Sequence, residues 1–245
     1  MMRGILSFVF LPVCCLAFPS GLRAQSAAAD SASYDAGIRA AVQSYQAFNQ
    51  NQSRLYNGIQ YLSYSFPVTG FPFLNTDQWS SGSVSYDREE FSPVPLLYDL
   101  VRDEVVVMGM DSGARIVLRP DLVSWFRMQG HTFIRVSGDT GVGLPDGYYD
   151  QLYSGPHELL AHRSKTMQES ISGTTLTRTF QSSVHYYVRM GNTFHSINGK
   201  GALLSLFKDK KPAIQAYLRE NHIRYHRDPE LALAKMAAFY DLSNP

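Results

Sequence analysis

The stretch from residue 82 to residue 136 constrains the fold most, because short β-branched and aromatic runs alternate there with turn residues. Glycine in the turns, as in Gln129-Gly130, supplies positive φ without steric cost. The segments between the runs are too short for a crossover helix, so the pattern predicts strands that pair antiparallel. The runs lie at residues 105–107, 116–118, 123–126 and 133–136, and a further turn at 111–113.

The whole chain predicts a mainly β (α+β) fold, an antiparallel sandwich or a strongly curved sheet of about ten to twelve strands. Outside the central stretch, strands are predicted at 55–66, 174–181 and 184–190, and Gly191-Asn192 is a two-residue hairpin turn. Apolar residues at steps of three and four indicate an N-terminal helix at 34–49. The same period returns in a C-terminal tail, residues 199–245, where we expect two or three helices. The last of them begins at Asp228-Pro229, an acidic cap followed by proline.

Residues 1–24 have the order of parts that is typical of a secretory signal peptide. Arg3 is basic, residues 5–18 are apolar, and Leu22-Arg23-Ala24 offers a cleavage site. The apolar run is shorter than the roughly 20 residues of a spanning helix, so no transmembrane segment is expected after cleavage. Cleavage would remove two of the 22 basic residues and none of the 21 acidic ones, which leaves a formal charge of −1.

Cleavage would also remove both cysteines, Cys14 and Cys15, so the mature chain is expected to have neither a disulfide nor thiol chemistry. Lipid attachment at either cysteine is disfavoured, because the preceding Val13 is a poor fit to a lipoprotein site. The sequence therefore predicts a signal peptide at 1–24, a small-residue linker at 25–33 and a single β-rich domain at 34–245.

Asp30-Ser31-Ala32, in the linker, resembles the acceptor of O-glycosylation in exported proteins of Bacteroidota. This resemblance makes Ser31 a candidate modification site. The alternative is an ordinary flexible leader with a helix cap.

Several function classes are disfavoured by composition and spacing. The formal charge of +1 without a basic stripe argues against nucleic acid as a partner. His157 and His162 are five residues apart, and a zinc-protease helix needs a spacing of four. His222 and His226 have the right spacing but lie in an interhelix connector. No cofactor and no metal site is expected.

Two segments are candidates for ligand binding. The first is residues 67–79, where Pro67 and Pro72 exclude a regular central strand. Its aromatic side chains are either a platform for a sugar or peptide, or anchors that pin a long loop to the core. The second is the glycine-rich connection at 137–147, whose carboxylates are candidate ligand contacts. The candidate binding residues are Phe71, Phe73, Trp79, Asp139 and Asp146.

Five segments together resemble exported proteins of Bacteroidota. The resemblance implies a periplasmic or cell-surface location and a β-rich body with a helical tail, and it brings no catalytic residues. The segments are LYNGIQY (55–61), VPLLYDLVRDEVVV (94–107), GYYDQLYSG (147–155), LLAHRSKT (159–166) and FKDKKPAIQAYLRE (207–220).

Export, many aromatic residues and the lack of a recognisable catalytic motif favour a non-enzymatic envelope protein that binds a glycan, a peptide or another envelope protein. The alternative is a periplasmic hydrolase of envelope or dietary polymers, whose acid–base pair is assembled by the fold from distant residues. A cleft with two facing carboxylates of raised pKa would favour the hydrolase.

Overall fold

The computed structural model describes residues 37–42, 54–109, 113–138 and 144–243. The chain divides into two compact units, Met1–Asn49 and Gln50–Pro245. In the first unit, residues 37–42 form a helix, α1, within the range predicted to be helical. The predicted leader, the linker with Ser31 and the rest of that helix lie outside the described residues. None of the described helices is long and apolar enough to cross a membrane.

The second unit contains eleven described strands in one antiparallel sheet, with helices at its C-terminal end. The order across the sheet is β1-β5-β4-β3-β2-β6-β7-β8-β9-β10-β11. The strands are β1 (Ile59–Gln60), β2 (Ser80–Tyr86), β3 (Glu89–Asp99), β4 (Glu104–Met108), β5 (Arg115–Val117), β6 (Val123–Met128), β7 (His131–Val136), β8 (Gly147–Tyr153), β9 (Leu159–Ser172), β10 (Thr175–Met190) and β11 (Thr193–Ile197). The helices are α2 (Lys200–Leu206), α3 (Lys211–Glu220) and α4 (Pro229–Leu242), with 3₁₀ turns at Arg54–Tyr56 and Lys208–Lys210.

The prediction of a mainly β fold with a C-terminal helical tail is confirmed, in the form of one continuous sheet. The turn at Gln129-Gly130 joins β6 to β7 with positive φ at both residues, 52° and 82°. The cap of α4 is also as predicted, since the Asp228 carboxylate accepts a hydrogen bond from the Leu231 backbone N–H at 3.0 Å.

The strand predicted for residues 55–66 is wrong in extent, because only Ile59 and Gln60 pair, at the sheet edge. The Tyr61 backbone N–H still donates to the Arg115 carbonyl oxygen at 2.8 Å, and beyond it the chain leaves the sheet. The Tyr61 hydroxyl donates to Asp99 at 2.8 Å, and the carbonyl oxygen of Leu62 accepts from Arg102 at 2.8 Å.

Two strands predicted at 174–181 and 184–190 are in fact one, β10, which pairs with β9 in a long hairpin. The polar residues Ser182 and Ser183 do not interrupt it, since the Ser183 hydroxyl hydrogen-bonds to that of Ser164 across the hairpin at 2.8 Å. Sequence neighbours also fail to be sheet neighbours at two places. β1 pairs with β5 and not with β2, and β6 pairs with β2 and not with β5.

One face of the sheet, called here the inner face, is filled by an aromatic core. The rings of Phe126 and Phe133 stack at 4.8 Å, and Tyr98 meets each of them edge-on at 5.0 and 4.9 Å. Tyr148 completes the group against Phe126 at 5.2 Å. These four rings come from β3, β6, β7 and β8 and are at most 1% exposed, so the core requires the sheet to curve around them.

Hydrogen bonds between distant strands show how strong the curvature is. The Lys165 N–H on β9 donates to the carbonyl oxygen of Leu100, just after β3, at 2.9 Å. In a flat sheet these strands, five positions apart, would be about 24 Å from each other. Asp103, in the β3–β4 turn, accepts from the Tyr148 N–H at 3.2 Å and lies 3.7 Å from Arg135. The β3–β4 turn therefore closes the curled end against β7, β8 and β9.

Beyond that end, the C-terminal helices cover the inner face of the remaining strands. Leu159, Val188 and Ile197 from the sheet share a buried cluster with residues of α2, α3 and α4. His157 adds a polar contact, since its ring and its backbone N–H both hydrogen-bond to the Asp241 carboxylate on α4.

Within the part of the chain that the structure describes, the opposite, outer face is covered only at its two ends. Over β3, β4 and β5 the loop at 61–79 packs on Leu97 and Val106. Over β7 to β11, Leu144 and Tyr149 form a small buried cluster with Leu160 and Tyr187. The outward side chains of β2, β6 and the start of β7 lie between these covers and are exposed or half-buried.

The packing of β2 against β6 predicts that Gly82 cannot accept a side chain. A Cβ there would lie 2.2 Å from the carbonyl oxygen of Arg127 and 2.7 Å from Cδ1 of Leu96. We expect Gly82→Ala to lower the free energy of unfolding by about 1–3 kcal/mol in urea titrations. Gly201→Ala, on α2 with no atom within 4 Å, is the control and should be neutral or slightly stabilising. A Gly82→Ala protein with the same free energy of unfolding as the wild type would contradict this close approach.

Candidate functional site

The aromatic loop singled out in the sequence, residues 67–79, is part of the longer loop at 61–79, which contributes side chains to a buried cluster on the outer face. Phe73 is 4% exposed and packs with Tyr61, Leu97 and Val106. Phe71 and Trp79 are half-buried against the same cluster. The structure therefore brings three of the five predicted binding residues together.

Cations of the protein itself lie over the ring faces of this loop. The Arg115 guanidinium is 5.5 Å from the Phe73 ring centroid and 5.9 Å from that of Trp79. The Lys165 Nζ is 4.5 Å from the Phe71 centroid. Each contact places a cation over one face of a ring, and such contacts stabilise the folded chain.

Lys165 also fixes the backbone of the loop. Its Nζ donates to the carbonyl oxygens of Phe71 and Phe73, at 2.9 and 2.6 Å. Burial lowers the pKa of Lys165, and the nearby Asp99 carboxylate opposes that effect. The Lys165 ammonium group thus holds the loop in two ways, by hydrogen bonds to its carbonyl groups and by a cation–π contact with the Phe71 ring.

The two predicted carboxylates are not part of this cluster in the described residues. Asp139 lies outside them. Asp146 is exposed and accepts a hydrogen bond from the Gly138 N–H, which ties the two ends of the 137–147 connection together.

The burial of Phe73 predicts a structural effect of its removal. We expect Phe73→Ala to lower the free energy of unfolding by about 3–5 kcal/mol, because a large buried ring leaves a cavity. Ile171→Ala, at a side chain 75% exposed, should change it by less than about 0.5 kcal/mol. Chemical denaturation of both variants measures the difference. A Phe73→Ala protein of wild-type stability would instead favour the binding-platform interpretation.

A groove lies on the uncovered part of the sheet, where the β6–β7 turn meets β2. It has a volume of about 270 Å³ and nine lining residues, none of which is a carboxylate. The backbone of Gly82, Met128 and Gly130 forms part of it. Side chains that line this outer groove are Ser81, Ser83, Arg127, Gln129, His131 and Thr132.

The register of the strands places polar groups side by side in this groove. Arg127 on β6 is opposite Ser83 on β2 and opposite Thr132 on β7. Gln129 is fixed at the turn, because its side-chain amide donates to the Ser80 hydroxyl at 2.9 Å. Hydroxyl and guanidinium groups therefore lie side by side on the outer face, and no carboxylate is among the lining residues.

Trp125 adds an aromatic surface beside the outer groove. It lies two residues before Arg127 on β6, so both side chains are on the outer face. The Arg127 guanidinium is 4.7 Å from the Trp125 ring centroid, and Trp125 is half-buried. Trp79, a binding residue predicted from the sequence, precedes the groove residue Ser81 by two positions.

Trp125 and Arg127 were not among the binding residues predicted from the sequence. The signal that points to them is the period of two in β2 and β6, where Ser81, Ser83 and Ser85 alternate with inward residues as Trp125 and Arg127 do. That period shows which residues share a face. It does not show that loops leave this part of the face uncovered.

A buried chain of charged groups lies behind the groove, on the inner face. His131 Nδ1 hydrogen-bonds to the Asp150 carboxylate at 2.8 Å, and Asp150 is only 2% exposed. Arg163 bonds the same carboxylate oxygen through Nε and Nη2, at 2.9 and 2.6 Å. Arg163 also reaches Glu230 on α4 at 2.7 Å, and the Tyr186 hydroxyl donates to Glu230 at 3.2 Å.

This chain resembles the carboxylate–histidine part of a hydrolytic triad, but its electrostatics differ. Two Arg163 donors bond the same Asp150 oxygen that His131 bonds, so this carboxylate is not reserved for the histidine as it is in a triad. Burial alone would lower the pKa of Arg163, and its bonds to Glu230 and Asp150 raise the pKa overall. The chain connects the groove wall to α4.

A second group of perturbed residues gathers near Gly147. Burial raises the pKa of Asp103 and lowers that of His162, and the neighbouring His185 lowers the latter further. However, both oxygens of Asp103 are engaged, by the Tyr98 hydroxyl at 2.5 Å and by the Tyr148 N–H. These bonds belong to the closure of the curled sheet and leave Asp103 poorly placed to accept a substrate proton.

The described residues contain no group of three or more histidine, cysteine or acidic side chains placed to hold a metal ion. The chain matches no protein-family model, no curated protein and no solved structure.

Proposed function

We propose that the protein is an exported cell-envelope protein that binds a carbohydrate in the outer groove and does not cleave it. Export rests on the predicted leader at 1–24. Carbohydrate binding rests on one observation: the groove combines hydroxyl and guanidinium groups with an adjacent half-buried tryptophan, Trp125. Sugars present hydroxyls at their rims and C–H groups on their faces, which such a surface complements.

The size and openness of the site agree with this class of ligand. A groove of about 270 Å³ lies at the lower limit of small-molecule pockets, and it can hold one or two sugar units of a longer chain. Its floor is a three-stranded part of the sheet, so the donors are held on rigid elements. A polymer can run along such a surface without having to enter a cavity.

The alternative function, hydrolysis of a polymer, lacks its expected pair of facing carboxylates in the groove lining. The only titratable side chains there are Arg127 and His131. The carboxylate partner of His131 is Asp150, which is paired with Arg163. These contacts favour binding over turnover.

Affinity electrophoresis of the native protein in gels that contain individual polysaccharides tests the proposal. We expect retardation by at least one polysaccharide, and no release of reducing ends from it. Trp125→Ala should weaken binding at least tenfold, because a tryptophan that contacts the ligand contributes more than about 1.4 kcal/mol to the binding free energy.

Phe194→Ala is the matched control, since Phe194 is a half-buried aromatic on the outer face of β11, away from the groove. It should bind normally. Thr132→Val removes a groove hydroxyl, keeps the side-chain shape and should also weaken binding. It is the second groove variant, to be used if Trp125→Ala does not fold. Normal binding by both groove variants, or release of reducing ends by the wild type, would contradict the proposal.

A further inference from the structure

The charges around the outer groove specify a narrower ligand class. We infer that the outer groove selects anionic polysaccharides, with Arg127 as the residue that recognises the anion. This inference rests on the proposed function. It adds a chemical class of ligand and a specificity-determining residue.

The first observation is that the Arg127 guanidinium has no acidic partner among the described residues. In the described parts of the chain, Arg54, Arg119, Arg163, Arg178 and Arg189 each pair with a carboxylate within 4.0 Å, and Arg135 lies 3.7 Å from Asp103. No such ion pair involves Arg127. Its contact is the Trp125 ring, at 4.7 Å.

The second observation concerns what flanks Arg127. Its cross-strand neighbours are the hydroxyl residues Ser83 and Thr132, and the outer groove contains no carboxylate that would repel an anion. The planar guanidinium offers parallel N–H donors that match the two oxygens of a carboxylate. Stacking on Trp125 restricts the side chain, so less conformational entropy is lost when the donors engage a ligand.

The third observation concerns His131, the other basic residue in the lining. Its Nδ1 is bonded to Asp150, which Arg163 also bonds. Arg163 reaches Glu230 as well, so two carboxylates on the inner face share this guanidinium. Among the lining residues, Arg127 is therefore the side chain whose positive charge is available to the ligand.

The anion can be a carboxylate of a uronic acid or a sulfate ester, and both present oxygens to a guanidinium. Two pairs of probes distinguish them. Polygalacturonate is compared with its fully methyl-esterified form, which has the same backbone without charge. Dextran sulfate is compared with dextran.

Affinity electrophoresis and calorimetry with the full chain would measure binding to these probes. We expect wild-type protein to bind one anionic probe at least tenfold more tightly than its neutral counterpart. Arg127→Gln should lose that preference and keep the residual binding to the neutral probe. Arg127→Lys, which keeps the charge and loses the planar fork, should restore the preference in part.

Arg219→Gln, at an exposed arginine on α3, is the control and should behave as the wild type. Equal binding of charged and neutral probes that still depends on Trp125 would overturn the selectivity and leave carbohydrate binding standing. An anionic preference that survives in Arg127→Gln would also overturn it. Failure to bind any polysaccharide would overturn both proposals.

Discussion

The structure depends on how one long antiparallel sheet buries its inner face. A single sheet has no second sheet to pack against, so its apolar face must be covered by its own curvature or by helices. Both solutions occur here, at opposite ends. Around Tyr98, Phe126, Phe133 and Tyr148 the sheet curls on itself, and the Lys165–Leu100 backbone bond closes it. Toward β11, three helices provide the cover.

The junction between the two covers is polar. Asp150 and Arg163 lie on the inner face between the aromatic core and the helical cluster, and Glu230 reaches them from α4. A buried ion pair of this kind contributes little net stability, but breaking it by removing one partner is costly. It also fixes where α4 docks, because few other positions would satisfy both carboxylates. Its far end, His131, is a wall of the outer groove, so groove and helices share one hydrogen-bonded chain.

The sequence predicts local structure well where a turn or a cap is encoded by a few residues. Gln129-Gly130, Gly191-Asn192 and Asp228-Pro229 are examples, and each turn or helix start is where it was expected. The pairing of β2 with β6 was not predictable in this way, since it joins segments separated by three other strands. The strand expected at 55–66 failed because its aromatics pack in different places, Tyr56 on the inner core and Tyr61 in the outer-face cluster. Period-two counting does not distinguish such packing from strand faces.

The candidate site shows the same limit. Aromatic content drew attention to Phe71, Phe73 and Trp79, yet Arg115 and Lys165, distant in sequence, lie over those rings. Trp125 and Arg127 belong to an ordinary-looking strand and became conspicuous only once the loops were seen to leave that part of the outer face open. Which aromatic side chains are left uncovered by loops depends on long-range contacts. Such contacts cannot be inferred from a single sequence.

We propose that the outward side of β2, β6 and β7 is the ligand surface of this molecule. Amide hydrogen exchange of the native protein, with and without polygalacturonate, tests that proposal most directly. We expect added protection in peptides from β2 and the β6–β7 hairpin, and unchanged exchange in the loop at 61–79 and in α2 to α4. Added protection confined to that loop or to the helices would contradict it.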